Sequence, residues 1–251
     1  LDELGIAETF EAWDVAPDEL EEKVTTFRAT GFLAGCVTLP HKQAVIPLVD
    51  ELTEAAEAVG AVNWIFNRDG KLVGHNTDGT GFLRALKEKT GFDPAGVDAV
   101  VFGAGGAARA IVYALKLAGI ARLTIANRTV GKAQALASEF SEGRFKPDAI
   151  GLSRDELANC APYAQLLVNT TSLGMAGGPA EMATPILADM ISADAVGYDA
   201  VYAPPMTRFL SEGTIDFVPE SPRAPRSLKK RVGSNQLEVL HRGLLSRFHS
   251  G

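Results

Sequence analysis

The stretch Val97–Ala110, VDAVVFGAGGAARA, decides how this chain folds. Its apolar run ends at Gly103 and helix-forming residues follow from Ala107, which predicts a strand, a tight turn and the start of a helix. The spacing Gly103-x-Gly105-x-x-Ala108 is typical of a dinucleotide-binding turn. In such a turn the first glycine permits the bend, the second admits a pyrophosphate, and the small third residue lets helix and strand pack closely. The free N–H groups of the new helix would hold the phosphate.

Composition and charge indicate an ordinary globular protein. The chain has 251 residues, 46% hydrophobic and 22% charged, which suits one large or two smaller domains. A net charge of −7 argues against a general binder of nucleic acid or anionic membranes, and no apolar run approaches the roughly 18 residues of a membrane span. Cys36 and Cys160 are too few for a disulfide framework, and no Cys/His cluster has zinc spacing. We therefore expect no metal and a cytoplasmic location.

Helix and strand patterns alternate along the chain, which indicates an α/β architecture. From residue 97 the alternation is regular and predicts a Rossmann-like, doubly wound parallel sheet. A smaller α/β unit is expected ahead of it. Its predicted elements are a strand over 8–15, a helix opened by Pro17, a strand over 32–39, a helix over 42–59, and a hairpin of strands 60–66 and 71–73. The chain turns basic after residue 207, and a closing helix is predicted over 236–248.

The residues that follow the second strand of the parallel sheet indicate which dinucleotide is bound. An NAD site has an acidic residue about 20 positions beyond the glycines for the ribose hydroxyls, whereas an arginine nearby suits the 2′-phosphate of NADP. Here Asn127-Arg128-Thr129 holds no acid, and Lys132 follows. Arg128 could pair with a phosphate and stack on adenine, although a surface arginine beside a helix cap is the simpler alternative. Taken with the glycine turn, the pattern favours NADP.

Two polar residues in the first half of the chain are candidates for proton transfer. Hydride transfer to a carbonyl needs a group that donates a proton or stabilises the developing alkoxide. Lys42 stands at the mouth of the predicted strand 32–39, and Asp78 lies in the compact loop 76–79. A Lys42–Asp78 pair could hold an ammonium close to a substrate oxygen, with the carboxylate orienting it. Each residue taken singly would more often be a surface lysine or a turn aspartate.

Seven ordered motifs, over about 170 residues, resemble the shikimate dehydrogenase family. The motifs are VTLPHK (37–42), GAVN (60–63), NTDG (76–79), GAGGAAR (103–109), NRT (127–129), NTTSLGM (169–175) and DAVYAP (199–204). The resemblance implies an oxidoreductase that reduces 3-dehydroshikimate to shikimate with NADPH, in aromatic amino-acid biosynthesis. It implies that Lys42 and Asp78 are the catalytic pair. It also implies that the substrate is bound by Thr38, Asn63, Tyr202 and again Asp78.

The same resemblance implies the residues that hold NADP and the division into domains. The cofactor residues are those of the pyrophosphate turn, the adenosine-phosphate turn and the nicotinamide end: Gly103, Ala104, Gly105, Gly106 and Ala107; Asn127, Arg128, Thr129 and Lys132; Ala200 and Gly233. The family fold implies a cleft between two domains. The substrate-binding domain is expected over 1–80, without its first strand and completed by a C-terminal helix over 235–251. The NADP-binding Rossmann domain is expected over 81–234.

Several positions depart from the family pattern and keep alternatives open. The chain begins at Leu1, beyond the position of the family's first strand and its Ser-x-Ser turn. Cys36 stands where the family usually has Asn, and Leu240 where it has a substrate-binding Gln, with Gln236 one helical turn away. The alternatives are a paralogue acting on quinate or a related hydroxy acid, and an NADP-binding module without catalysis. A monomer or homodimer is expected.

Overall fold

The computed structural model describes residues 8–29, 31–212, 217–219 and 236–242, which form two units with one six-stranded sheet each. The first unit contains the described residues up to Thr77 together with the strand 236–242, and the second begins at Asp78. The strands are β1 (Glu8–Asp14), β2 (Phe32–Val37), β3 (Glu51–Leu52), β4 (Trp64–Arg68), β5 (Lys71–His75), β6 (Asp98–Phe102), β7 (Arg122–Ala126), β8 (Asp148–Ile150), β9 (Leu166–Asn169), β10 (Val196–Asp199), β11 (Phe217–Pro219) and β12 (Gln236–Arg242). The helices are α1 (Leu20–Thr26), α2 (Glu54–Val59), α3 (Asp78–Thr90), α4 (Gly106–Leu117), α5 (Val130–Phe140), α6 (Arg154–Leu157) and α7 (Arg208–Glu212).

The sheet of the first unit is mainly antiparallel, in the order β1-β12-β2-β4-β5-β3. Among the described strand pairs of this first sheet, only β3 and β5 run parallel to each other. Apolar side chains of the strands pack with α1, and the ring of Phe27 stacks on Phe32 at 4.0 Å between centroids. Ile65 and Leu72 are fully buried in the same core. The predicted hairpin is present as β4 and β5.

The helix predicted over 42–59 is wrong in its first half. A short 3-10 helix covers Ile46–Leu48, the strand β3 follows, and a helix begins only at α2. Pro47 lacks the N–H that a continuous helix needs. The N–H of Asp50 donates to the carbonyl of Leu72, and the carboxylate of Asp50 accepts from the N–H of Leu72 at 2.7 Å. These bonds draw the segment to the edge of the sheet instead.

The C-terminal helix predicted over 235–251 is also wrong where the structure describes it. Residues Gln236–Arg242 form β12, which pairs antiparallel with β1 on one side and β2 on the other. Leu237 lies opposite Trp13 of β1 and Val37 of β2. An extended segment satisfies the N–H and C=O groups of both neighbouring strands, which a helix cannot do. Residues 243–251 lie outside the described part of the chain.

The sheet of the second unit is parallel throughout its described strands, in the order β11-β10-β9-β6-β7-β8. Alternate residues of β6 enter two different cores: Ala99 and Val101 pack with α3, α4 and α5, whereas Val100 and Phe102 pack with α6 and α7. The sheet is therefore covered on both faces, as a doubly wound fold requires. The predicted Rossmann-like class is confirmed.

The order of the parallel strands indicates where a ligand would bind. From β6 the chain proceeds outward through β7 and β8, and then returns to the other side of β6 for β9. Such a reversal is a topological switch point, and ligands of open α/β sheets bind there, beyond the carboxyl ends of the strands. The glycine turn follows β6 at this point. In the described parts of the chain, no helix has the length and apolar character needed to cross a membrane.

The strand assignment of β12 can be tested by truncation. A chain ending at residue 235 loses β12 and leaves facing edges of β1 and β2 unpaired, so we expect the amides of both strands to lose protection from hydrogen exchange. A chain ending at residue 242 keeps β12 and is the control. Amides of β6 and β7 should keep their protection in both variants. Unchanged protection of β1 and β2 in the shorter chain would contradict the pairing.

Candidate active site

The glycine turn after β6 is shaped by a contact with the loop that follows β9. Gly103 is buried and has a φ of 113°, a conformation that glycine adopts far more readily than other residues. A Cβ at Gly103 would overlap the hydroxyl oxygen of Thr170. That hydroxyl and the N–H of Thr170 both donate to the carbonyl of Phe102, at 2.7 and 2.9 Å. The first glycine is therefore required by this close approach as well as by the bend.

The turn that follows is open to a ligand. Gly105 is exposed, and a Cβ built on it would meet no described heavy atom within 4 Å. Gly105 is also the N-cap of α4, and it has no side chain with which to cap the N–H groups of the first turn. Ala104 and Ala107 are half-buried. Free N–H groups and the positive end of a twelve-residue helix suit a pyrophosphate, so the turn fits a dinucleotide.

The segment after β7 presents positive charge at the start of α5. Arg128 and Lys132 are exposed, and the side chain of Asn127 donates to the carbonyl of Thr129 at 2.9 Å, which closes the turn. No acidic residue stands in this turn. Arg109 on α4 forms two hydrogen bonds with Glu139 on α5, one of them 2.8 Å long, so the helices that start at the two turns are joined. The arrangement suits a dinucleotide with a further phosphate on the ribose.

In the first unit, backbone hydrogen bonds join three segments that hold sequence-predicted residues. The carbonyl of Lys42 accepts from the N–H of Val62 at 2.7 Å, and the carbonyl of Asn63 accepts from the N–H of Val37 at 2.8 Å. The N–H of Asn63 donates to the carbonyl of His75 at 3.0 Å. Segments 37–42, 61–63 and 75–77 therefore lie side by side. Thr38 and Lys42 are half-buried within the first of them.

The side chain of Asn63 forms two hydrogen bonds with Thr77, the residue before α3. Its amide donates to the hydroxyl of Thr77, and its carbonyl oxygen accepts from the N–H of Thr77, both at 2.9 Å. Asn76 donates to the carbonyl of Ala61 at 3.0 Å. Asp78 follows directly, is half-buried, and is the first residue of α3 rather than a loop residue. Lys42 lies in the first unit, and Asp78 is the residue at which the second begins.

The end of β10 holds a buried carboxylate to which sequence reasoning gave no role. Asp199 is 1% exposed and accepts hydrogen bonds from Asn169, Thr207 and the N–H of Val201. Burial raises the pKa of Asp199 to about 6, against the lowering effect of these bonds. Asp199 and Val201 belong to the DAVYAP motif, but Asn169 and Thr207 lie outside it, and the sequence alone did not bring them together with Asp199.

The other predicted residues near β10 differ in exposure. Ala200 is half-buried and its N–H donates to the carbonyl of Asn169 at 2.8 Å. Tyr202 is 46% exposed. Both follow the carboxyl end of β10, in the same unit as the glycine turn. Gly233, predicted at the nicotinamide end, lies outside the described residues.

Comparison with known proteins identifies the family. Residues 1–65 match the family model described as shikimate dehydrogenase substrate binding domain, and residues 85–174 match that described as shikimate / quinate 5-dehydrogenase. The shikimate dehydrogenase (NADP(+)) of Methanopyrus kandleri is 46% identical over 212 residues, which are 84% of this chain and 72% of that protein. The chain belongs to the shikimate dehydrogenase family.

Solved structures of shikimate dehydrogenase family members and related enzymes resemble this fold. The shikimate 5-dehydrogenase of Thermus thermophilus, solved with NADP(H) and shikimate, is 36% identical with a TM-score of 0.67. That match covers 80% of this chain and 70% of the other. The quinate dehydrogenase of Corynebacterium glutamicum, solved with NAD, is 32% identical with a TM-score of 0.68, over 79% of this chain and 71% of the other.

The buried carboxylate of Asp199 makes stability depend on pH. The pKa of Asp199 is about 6 in the folded protein, against an ordinary value of 3.8. Between these two pH values the folded protein keeps a proton that the unfolded chain releases. The contribution of Asp199 to the free energy of unfolding is therefore complete below the unfolded pKa. It is lost as the pH rises through 6, which lowers the free energy of unfolding by about 3 kcal/mol. Asp199→Asn does not titrate.

We accordingly expect the free energy of unfolding of Asp199→Asn, relative to wild type, to increase from about pH 4 to about pH 7 and then to level off. Urea unfolding of both proteins, followed by circular dichroism across this range, measures the difference. A difference that is the same at every pH would contradict the raised pKa.

Proposed function

We propose that this chain catalyses the NADPH-dependent reduction of 3-dehydroshikimate to shikimate, in aromatic amino-acid biosynthesis, and that it works in the cytoplasm as a monomer or homodimer. The observation that carries the proposal is the hydrogen-bonded group of segments 37–42, 61–63 and 75–77. It holds Lys42 and Asn63 and leads directly into Asp78, in a chain that belongs to the shikimate dehydrogenase family. Both residues of the proposed catalytic pair are present.

The second unit would bind the cofactor. Gly103, Ala104, Gly105, Gly106 and Ala107 form the turn and helix start whose N–H groups would hold the pyrophosphate. Arg128 and Lys132 would pair with the 2′-phosphate, and Asn127 and Thr129 would shape the turn that presents them. Ala200, and by family resemblance Gly233, would line the nicotinamide end. When bound, NADPH supplies the hydride.

Lys42 and Asp78 would manage the proton at the reacting oxygen. During reduction the ketone oxygen gains negative charge and takes up a proton, and an ammonium close to it both stabilises that charge and can donate. The carboxylate of Asp78 would hold the ammonium and a substrate hydroxyl in place. Thr38, Asn63 and Tyr202 would bind the remaining hydroxyls and the carboxylate. Asn63 is already oriented by its two hydrogen bonds with Thr77.

Quinate is a second candidate substrate. The match to a family model that names quinate and the similarity to the quinate dehydrogenase of Corynebacterium glutamicum support it. Quinate carries a hydroxyl where shikimate has one end of its ring double bond, so the two substrates differ in one hydrogen-bonding group. Assays of NADP reduction with each substrate distinguish them. NADP binding without turnover of either would favour the non-catalytic alternative.

Replacement of Lys42 tests the proposed chemistry. We expect Lys42→Ala to lower kcat for shikimate oxidation about a hundredfold or more, because the group that takes up and returns the proton is lost. Lys87→Ala, which removes an exposed lysine near the end of α3, is the matched control and should leave kcat unchanged. NADP binding should be the same in both variants. A normal rate in Lys42→Ala would refute the role of the lysine.

Replacement of Arg128 tests the choice of cofactor. We expect Arg128→Ala to raise the KM for NADP about tenfold or more and to change the KM for NAD little, because a charge-assisted bond to the 2′-phosphate is lost. Arg144→Ala removes the same charge from another exposed position of the second unit and is the control. Equal losses for the two cofactors in Arg128→Ala would show that the arginine does not read the phosphate.

A further inference from the structure

Asp199 bridges the ends of two parallel strands and both ends of the segment that follows the second. Its Oδ1 accepts from the side-chain amide of Asn169, at the end of β9, and from the N–H of Val201, both at 2.9 Å. Its Oδ2 accepts from the hydroxyl of Thr207 at 2.5 Å. Asn169, Asp199 and Thr207 are each at most 1% exposed. Residues 201 and 207 are thereby held to one carboxylate, and exposed Tyr202 lies between them.

Asn169 extends the same network into the loop that follows β9. Its side-chain oxygen accepts from the N–H of Thr171 at 3.0 Å and from the hydroxyl of Thr171 at 2.7 Å. Farther along, the N–H of Ala176 donates to the carbonyl of Ala203 at 2.7 Å, which joins this loop to the segment after β10. The two loops at the carboxyl ends of β9 and β10 are therefore fixed to each other through buried side chains and one backbone bond.

We propose that Asp199, together with Asn169 and Thr207, is a positioning group that holds residues 200–206 in the arrangement needed for turnover. The proposal rests on the proposed function, in which Ala200 lines the nicotinamide end and Tyr202 contacts the substrate. None of the three buried side chains needs to touch either ligand. Their effect passes through the backbone of the segment, because both ends of that segment are bound to Asp199.

The hydrogen-bond pattern predicts which substitutions preserve the network. All three partners of Asp199 donate to it, so Asp199→Ala leaves three donors without an acceptor. Asp199→Asn keeps an oxygen for Asn169 and Val201, and its amide can donate to the hydroxyl of Thr207, which also accepts. Thr207→Val removes the bond to Asp199 at constant shape, together with the 3.4 Å bond that the hydroxyl accepts from the N–H of Leu210, and Thr207→Ser restores the hydroxyl for both. Shape and hydrogen bonding are thus tested separately.

The experiment compares the two halves of the cofactor site in these four variants. The probes are shikimate turnover, binding of NADP+, and binding of 2′,5′-ADP, which carries only the adenosine half. In the sheet, β9 and β6 lie between β10 and β7, so β10 and β7 are about 14 Å apart. Arg128 follows β7, and binding of 2′,5′-ADP therefore reports on a region remote from Asp199 at the end of β10. Unchanged 2′,5′-ADP binding therefore shows that the second unit is folded.

We expect Asp199→Ala and Thr207→Val to lower kcat for shikimate about tenfold or more, while Asp199→Asn and Thr207→Ser stay within about threefold of wild type. In the two impaired variants the affinity for NADP+ should fall relative to that for 2′,5′-ADP. If Asp199→Ala does not fold, the comparison of Thr207→Val with Thr207→Ser tests the proposal.

Two results would overturn the proposal: wild-type turnover in Thr207→Val, or a loss in Asp199→Asn as large as in Asp199→Ala. A parallel loss of 2′,5′-ADP binding would also overturn it, because the network would then support the whole unit rather than one segment. A wild-type protein that does not turn over shikimate counts against the proposed function alone. In that case the positioning role is tested by the ratio of the affinity for NADP+ to the affinity for 2′,5′-ADP. The same ratio in Thr207→Val and in wild type would overturn the positioning role.

Discussion

The carbonyl oxygen of Phe102 accepts two hydrogen bonds from Thr170, and the geometry of the parallel sheet's carboxyl edge depends on them. They hold the end of β6 against the loop that follows β9. The hydroxyl of Thr170 then occupies the space that a side chain at residue 103 would need, so the chain can leave β6 only through a glycine with positive φ. This exit directs the backbone into α4. One close contact thus determines both the turn and the start of the helix.

The same edge shows how buried polar side chains replace backbone pairing where strands end. Two residues beyond the ends of β9 and β10, the backbone bonds side chains instead of a neighbouring strand: the N–H of Thr171 donates to the amide oxygen of Asn169, and the N–H of Val201 donates to the carboxylate of Asp199. In the described residues, no buried side-chain nitrogen or oxygen lacks a partner. The residues that satisfy the strand ends therefore also shape the surface of this edge, which is where doubly wound sheets in general bind ligands.

How well the sequence predicted the structure depends on whether local or distant contacts form each element. The run before Gly103 is buried on both faces of a parallel sheet, so its composition alone indicated a strand. The segment 46–52 looked helical, but its bonds to Leu72 come from a distant hairpin. Gln236–Arg242 adopts its extended form through pairing with strands more than 190 residues away. The periodicity of apolar residues within a segment gives no information about such contacts.

The residues of the candidate site fall into the same two groups, those positioned by local contacts and those positioned by distant ones. Asn127, Arg128 and Thr129 are adjacent in sequence, so their turn could be predicted. The three segments that surround Lys42 and Asn63 could be recognised only as separate motifs, since their mutual hydrogen bonds require the fold. Asp199 stood within a recognised motif, but the positioning role proposed for it depends on its burial and on its hydrogen bonds with Asn169 and Thr207. The sequence pairs neither of these two residues with Asp199.

The position of β12 has a consequence for synthesis of the protein. β1 and β2 emerge early from the ribosome, but the strand between them is made only after the whole parallel sheet. The second unit is continuous in sequence and can fold while translation continues, whereas the first must wait with two open strand edges. Such edges are sites of unwanted strand pairing. Until β12 has been synthesised, the facing edges of β1 and β2 are therefore open to such pairing.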